Sequence, residues 1–195
     1  MTASAPADVP ILQTASSLVE LTADTYASLQ ALPFGGGSSA LAPVRDLLAS
    51  GVEALDRART DLAAATRAAG GRVQTAPDPK YAPVVEQALP TVRGPGDVVG
   101  LALTLEDVLA QTLVRDVVDL SVPEVRRTVA GHAGDSARRK ALLLTLQALL
   151  ATGRAELAAV PPDLLALPPA AGTVGFPDVL FPTEKASPAD EGAVR

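Results

Sequence analysis

The stretch Asp97–Leu120, DVVGLALTLEDVLAQTLVRDVVDL, decides how the rest of the chain is read. At about 100° per residue, Val99, Leu103, Leu109, Leu113 and Val117 share one broad apolar arc of a helix. Glu106 falls inside that arc, whereas Thr104, Asp107, Gln111 and Arg115 take the opposite side. Burying an ionised carboxylate without a partner is strongly unfavourable. The sequence therefore predicts a group that faces Glu106.

On its C-terminal side, Ser121-Val122-Pro123-Glu124 reads as a capping box with proline early in the turn, opening a helix that runs to about Thr152. On its N-terminal side, Arg72–Gly96 carries Pro77, Pro79, Pro83, Pro90 and Pro95 and has room for one short helix, about Ala82–Leu89. Two long helices precede this connection. The first, capped by Asp8, places Ile11, Ala15, Leu18, Val19, Thr22, Tyr26 and Leu29 on one face and stops at Pro33-Phe34-Gly35-Gly36-Gly37. The second turns Val44, Leu48, Val52, Leu55 and Leu62 inward and ends at Gly70-Gly71. The expected fold is an all-α four-helix bundle, with helices about 9–32, 41–69, 96–120 and 122–152. The long connection lets the chain cross from one end of the bundle to the other.

Residues 1–153 are thus read as the bundle, and 154–195 as short helical turns and a proline-rich tail. The tail holds two of the chain's three phenylalanines. A solvated tail is usually poor in such residues. Val174, Phe176, Val179, Leu180 and Phe181 are therefore expected to dock in a groove of the bundle or of a neighbouring subunit.

Composition narrows the function classes. Apolar residues make up 48% of the 195, only 3% are aromatic, and most of the apolar mass is Ala, Leu and Val, a mixture that favours helices. A net charge of −6 with interspersed signs gives no basic footprint for nucleic acid. The absence of cysteine rules out disulfides and thiolate metal sites. No apolar run reaches the roughly 18–20 residues of a membrane span. Met1–Pro10 lacks the regions of a signal peptide, so none is expected in this sequence, and an exported form with its signal removed stays open. One histidine cannot build a nucleophile–histidine–carboxylate set, and no Walker-type or Rossmann glycine pattern occurs.

The chain also repeats itself. Ala15–Tyr26, ASSLVELTADTY, aligns with Ala102–Leu113, ALTLEDVLAQTL, with Ala15/Ala102, Leu18/Leu105, Ala23/Ala110 and Thr25/Thr112 identical. This register sets Val19 opposite Glu106. Together with ILQTASSLVELTADTY, the Gly70-Gly71 and Pro77-Asp78-Pro79 that follow the second helix, DVVGLALTLEDVLAQT, RKALLLTLQALLATG and GFPDVLFPTEKASPADEGAVR, the pattern resembles the ferritin-like domain proteins common in high-GC bacteria. The resemblance covers nearly the whole chain. It implies metal ligands on all four helices: a glutamate on the first and third, and Glu-x-x-His-like pairs on the second and fourth, all pointing inward.

Most of that ligand set is missing. Glu106 stands at the third-helix position, but Val19 stands at the first, with Glu20 one step away and facing out. Ser136 and Arg139 occupy the fourth-helix pair. On the second helix the register gives either Asp56 and Arg59 or Leu55 and Ala58. Leu142, Leu143, Leu146, Leu149 and Leu150 centre their stripe on Arg139, and Arg59 falls within the arc of Leu48, Val52 and Leu55. A guanidinium has donors only and cannot ligate a cation.

Val19, Asp56, Arg59, Glu106, Ser136 and Arg139 are thus expected to mark a vestigial metal site filled by an arginine–carboxylate network, with no cofactor and no catalysis. A protein partner or a homo-oligomer would suit such a structural or binding component. The other reading is a reduced metalloprotein holding one ion through Glu106 with Asp56, Asp135 or His132. Tyr26 is expected only to pack, and His132 to be a core or helix-bend histidine.

Overall fold

The computed structural model describes residues 8–154 and 182–194, and all regular structure among them is helical. Helix α1 spans Asp8–Ala31 and α2 Ala42–Ala68. A short α3, Ala82–Ala88, continues into a 3-10 turn at Leu89–Thr91, and α4 (Pro95–Asp119) and α5 (Pro123–Ala151) follow. Among the described residues, no helix is long and apolar enough to cross a membrane. Val174, Phe176, Val179, Leu180 and Phe181 lie outside the described residues.

Local chemistry sets the helix ends. Gly70 takes a left-handed φ of 79°, and the Gly70 and Gly71 N–H groups return to the Arg67 and Thr66 carbonyls, closing the last turn of α2. The start of α5 departs from the expected capping box. Its cap residue is Val122, with no side-chain cap bond. Ser121 instead donates its N–H and hydroxyl to the Asp8 carboxylate, at 2.9 and 2.8 Å. Asp8 is buried and needs those donors more than the solvated end of α5 does.

Cross-helix contacts fix the directions. The beginning of α1 meets the end of α4 through Asp8 and Ser121, and Tyr26 meets Glu106 further along, so these helices run antiparallel. Gln13 donates to the Arg72 carbonyl at 2.7 Å while Arg59 reaches Glu20, so α1 and α2 are antiparallel too. Hence α2 and α4 run the same way. Their connection, residues 69–94, must travel back along a helix of about 40 Å. Buried Asp78 pins that connection to α1 by donating its N–H to the Ser17 carbonyl at 3.0 Å.

One core lies between the four long helices. Val44, Leu48, Gly51, Leu55, Ala58 and Leu62 of α2 line it at alternating spacings of three and four. The expected inward stripes need correction at Val52, Leu103, Val117 and Leu150, which are only partly buried, and at Leu142, which is 57% exposed. Packed helices cross at an angle, so the core-facing direction rotates along each one and a wheel averages over it. Asp107 and Gln111 are corrected the other way: both are buried. Residues 182–194 cover them and the outer side of α1, so α1 is buried on almost every face.

Candidate functional site

Glu106 is fully buried in α4, between α1 and α5. Its Oε1 accepts the Tyr26 hydroxyl at 2.9 Å and Arg139 Nε at 2.7 Å. Its Oε2 accepts the Ser136 hydroxyl at 2.5 Å and Arg139 Nη2 at 3.1 Å. Ser136 and Arg139 stand one turn apart on α5, which brings both to one carboxylate. A carboxylate offers about four lone-pair positions. All are taken here.

The remaining long helix, α2, contributes by an absence. A Cβ at Gly51 of α2 would lie 2.4 Å from Cε1 of Tyr26, so the ring fits only because position 51 has no side chain. Burial, reinforced by the charge of Glu106, holds the Tyr26 phenol well above its ordinary pKa, and it remains a donor. Burial pulls Arg139 down, but Glu106 outweighs that and the net shift is upward.

The chain matches no family model, no curated protein and no solved structure.

The other positions of the expected ligand set separate. Val19 is fully buried on α1, but the residue that reaches Glu106 from that helix is Tyr26, about two turns further on. Of the two α2 pairs, Leu55 and Ala58 are the buried one. Asp56 and Arg59 are corrected to the outer side, about 100° round the helix from them. Arg59 there bonds Glu20 at 2.8 Å, Asp24 at 2.6 Å and Asp56 at 3.3 Å. Because Glu20 meets Arg59, their buried neighbours Val19 and Ala58 lie at the same level of the α1–α2 pair.

The residues considered as partners of Glu106 on one metal ion are likewise engaged elsewhere. Asp135 pairs with Arg138, and His132 Nε2 with Asp61 at 3.0 Å. Among the described residues, no group of three or more His, Cys, Asp or Glu side chains is placed to hold a metal. Glu106, saturated by Tyr26, Ser136 and Arg139, with Val19, Leu55 and Ala58 buried and apolar, does not fit a di-metal centre. Ser136 and Tyr26 spend their hydroxyl protons on Glu106, and the single histidine, His132, one turn before Ser136 on α5, is bonded to Asp61 instead.

Tyr26 is the member that the wheel assigned to packing alone. Its signal was present: a phenol on an apolar face usually finds a polar partner when buried. Two further carboxylates of α4 are buried, Asp107, expected on the outer side, and Asp116, which periodicity does not single out. Asp107 accepts from Lys140 at 2.7 Å, Lys185 at 2.5 Å and Gln111 at 2.9 Å. Burial pushes its carboxyl up, but these bonds together outweigh it and the net shift is downward. Asp116 is buried with no hydrogen-bond partner for Oδ2 among the described residues. Burial, then the charge of Asp119, holds its carboxyl well above the usual range.

Proposed function

We propose that this chain is a ferritin-like four-helix bundle with one long crossover, in which the di-metal site has been replaced, and that it works as a non-catalytic binding or structural component. Antiparallel neighbours with a parallel α2 and α4 support the architecture. Level with Glu106, α1 and α2 supply Tyr26 and Gly51 rather than carboxylates or a histidine, and Val19, Leu55 and Ala58 are buried and apolar. The α4–α5 half is a closed cluster of Glu106, Ser136 and Arg139. The observation that carries the reading is the saturation of Glu106: a cation would first have to displace Tyr26, Ser136 and Arg139.

Metal analysis of protein purified without chelator tests this, followed by anaerobic loading with Fe(II) and exposure to air. The expected result is no stoichiometric iron, manganese or zinc and no iron-dependent absorption. Rapid oxidation of a pair of irons per chain would overturn the reading. So would a stoichiometric metal that is lost on Glu106→Ala.

A further inference from the structure

The sides of α1 and α4 turned away from the core carry side chains that normally meet water. Gln13, Thr14 and Ser17 of α1 and Gln111 and Thr112 of α4 are nevertheless buried, together with Asp78 of the connection. Their cover is Lys185–Val194, a segment with no helix or strand of its own.

Side chains of the bundle and the connection hold the main chain of that segment. Gln111 accepts the Lys185 N–H at 2.9 Å, and the Tyr81 hydroxyl donates to the Lys185 carbonyl at 2.5 Å. Thr112 accepts the Ser187 N–H at 2.9 Å. The Thr14 hydroxyl donates to the Ala189 carbonyl and accepts the Gly192 N–H, each at 3.0 Å. Gln74 donates to the Gly192 carbonyl at 2.6 Å, and Gln13 accepts the Val194 N–H at 3.1 Å.

Three contacts add selectivity. The Lys185 ammonium meets Asp107 at 2.5 Å, and the Ser187 hydroxyl donates to Asp78 Oδ2 at 2.8 Å with both residues fully buried. A Cβ at Gly192 would stand 2.4 Å from Ser17 Oγ and 2.9 Å from the Gln13 carbonyl oxygen, so only glycine fits. Main-chain bonds that give affinity, with side-chain contacts that give specificity, are how proteins recognise extended peptides. The segment buries little apolar surface: Ala186 is its only apolar residue in the core.

We propose that α1, α4 and the 72–81 connection form a peptide-recognition groove, and that Lys185–Val194 is its tethered ligand. The groove takes extended peptides with lysine, serine and glycine at the spacing of residues 185, 187 and 192, including the same segment of a second copy. This goes beyond the metal-site reading and does not depend on it, since the groove lies on the outer side of α1 and α4.

The test uses the full chain with a protease site inserted after Ala171, cut in the folded state and separated from the released 172–195 piece by gel filtration. A fluorescent synthetic peptide of residues 182–195 is then titrated by anisotropy. Saturable, stoichiometric binding to the cut chain is expected, roughly tenfold weaker for a peptide carrying Gly192→Ala. No binding, or equal binding of the two peptides, overturns the proposal. Should cutting unfold the chain, the uncut Gly192→Ala protein replaces it. With its own segment weakened, that protein must bind the natural peptide roughly tenfold tighter than the unaltered chain does. Equal binding there overturns the proposal as well.

Discussion

Arg139 holds both oxygens of Glu106, with Nε 2.7 Å from Oε1 and Nη2 3.1 Å from Oε2, and the carboxylate it holds is completely shielded from solvent. Desolvating both charges offsets most of the attraction in such a pair, so its presence adds little net stability. Breaking it is another matter. Arg139→Ala is expected to cost about 3–5 kcal/mol in urea unfolding, because the carboxylate stays behind unpaired. Replacing the whole cluster at once, Glu106→Leu with Arg139→Met, Tyr26→Phe and Ser136→Ala, should cost far less than Arg139→Ala alone, because no buried charge or hydroxyl donor is then left without its partner. A loss under about 1 kcal/mol for Arg139→Ala alone would remove Arg139 from the core.

Gly51 and Tyr26 form a second coupled pair. Alanine at 51 improves helix propensity by about 1 kcal/mol. It also puts a carbon 2.4 Å from the Tyr26 ring, and overpacking of that kind costs about 1–3 kcal/mol. The clash is expected to win, and the Tyr26 hydroxyl should pull away from Glu106. Gly51→Ala should therefore destabilise the protein, while adding Tyr26→Leu should restore part of the loss. A stabilised Gly51→Ala would show that the ring has room.

Periodicity made the helices legible, because each long helix must bury a stripe. Glu106 was legible for the same reason: a charge inside a stripe demands a partner. The wheels failed where burial comes from something other than a neighbouring helix. Gln13, Thr14 and Ser17 look solvent-facing on α1, and only the contacts of a segment some 175 residues later in the chain explain their burial. Arg59 was misplaced because a stripe does not show where it ends, and Arg59 directly follows buried Ala58. Ser121 had two available uses, and local pattern could not weigh a buried Asp8 against a helix cap.

Asp116 should make stability depend on pH. Its folded-state pKa is raised by burial, so the folded protein keeps a proton that the unfolded chain gives up near pH 4. Stability from this group is fully present below the unfolded pKa and falls as pH rises towards the folded one. Each pH unit in that window costs about 1.4 kcal/mol. Asp116→Asn removes the titration, so it should stabilise the protein at pH 7 and gain progressively less as pH falls towards 4. An Asn variant that is equally stabilised or destabilised at both pH values would show that Asp116 titrates normally in the fold.

Ser187 should control the terminal segment without controlling the core. Its hydroxyl serves one oxygen of fully buried Asp78, whose other oxygen accepts the Lys80 and Tyr81 N–H groups at 3.0 Å each. Ser187→Ala therefore leaves Asp78 Oδ2 without that donor, at a cost of about 1–3 kcal/mol. The cost falls on a segment that buries little apolar surface, so local release is easier than global unfolding. Hydrogen exchange should show it: the amides of Ser187 and Gly192, bonded to Thr112 and Thr14, should exchange faster in the variant. Amides in the middle of α4, such as that of Leu109, should keep their rate. If every amide speeds up together, the segment opens only when the helices do.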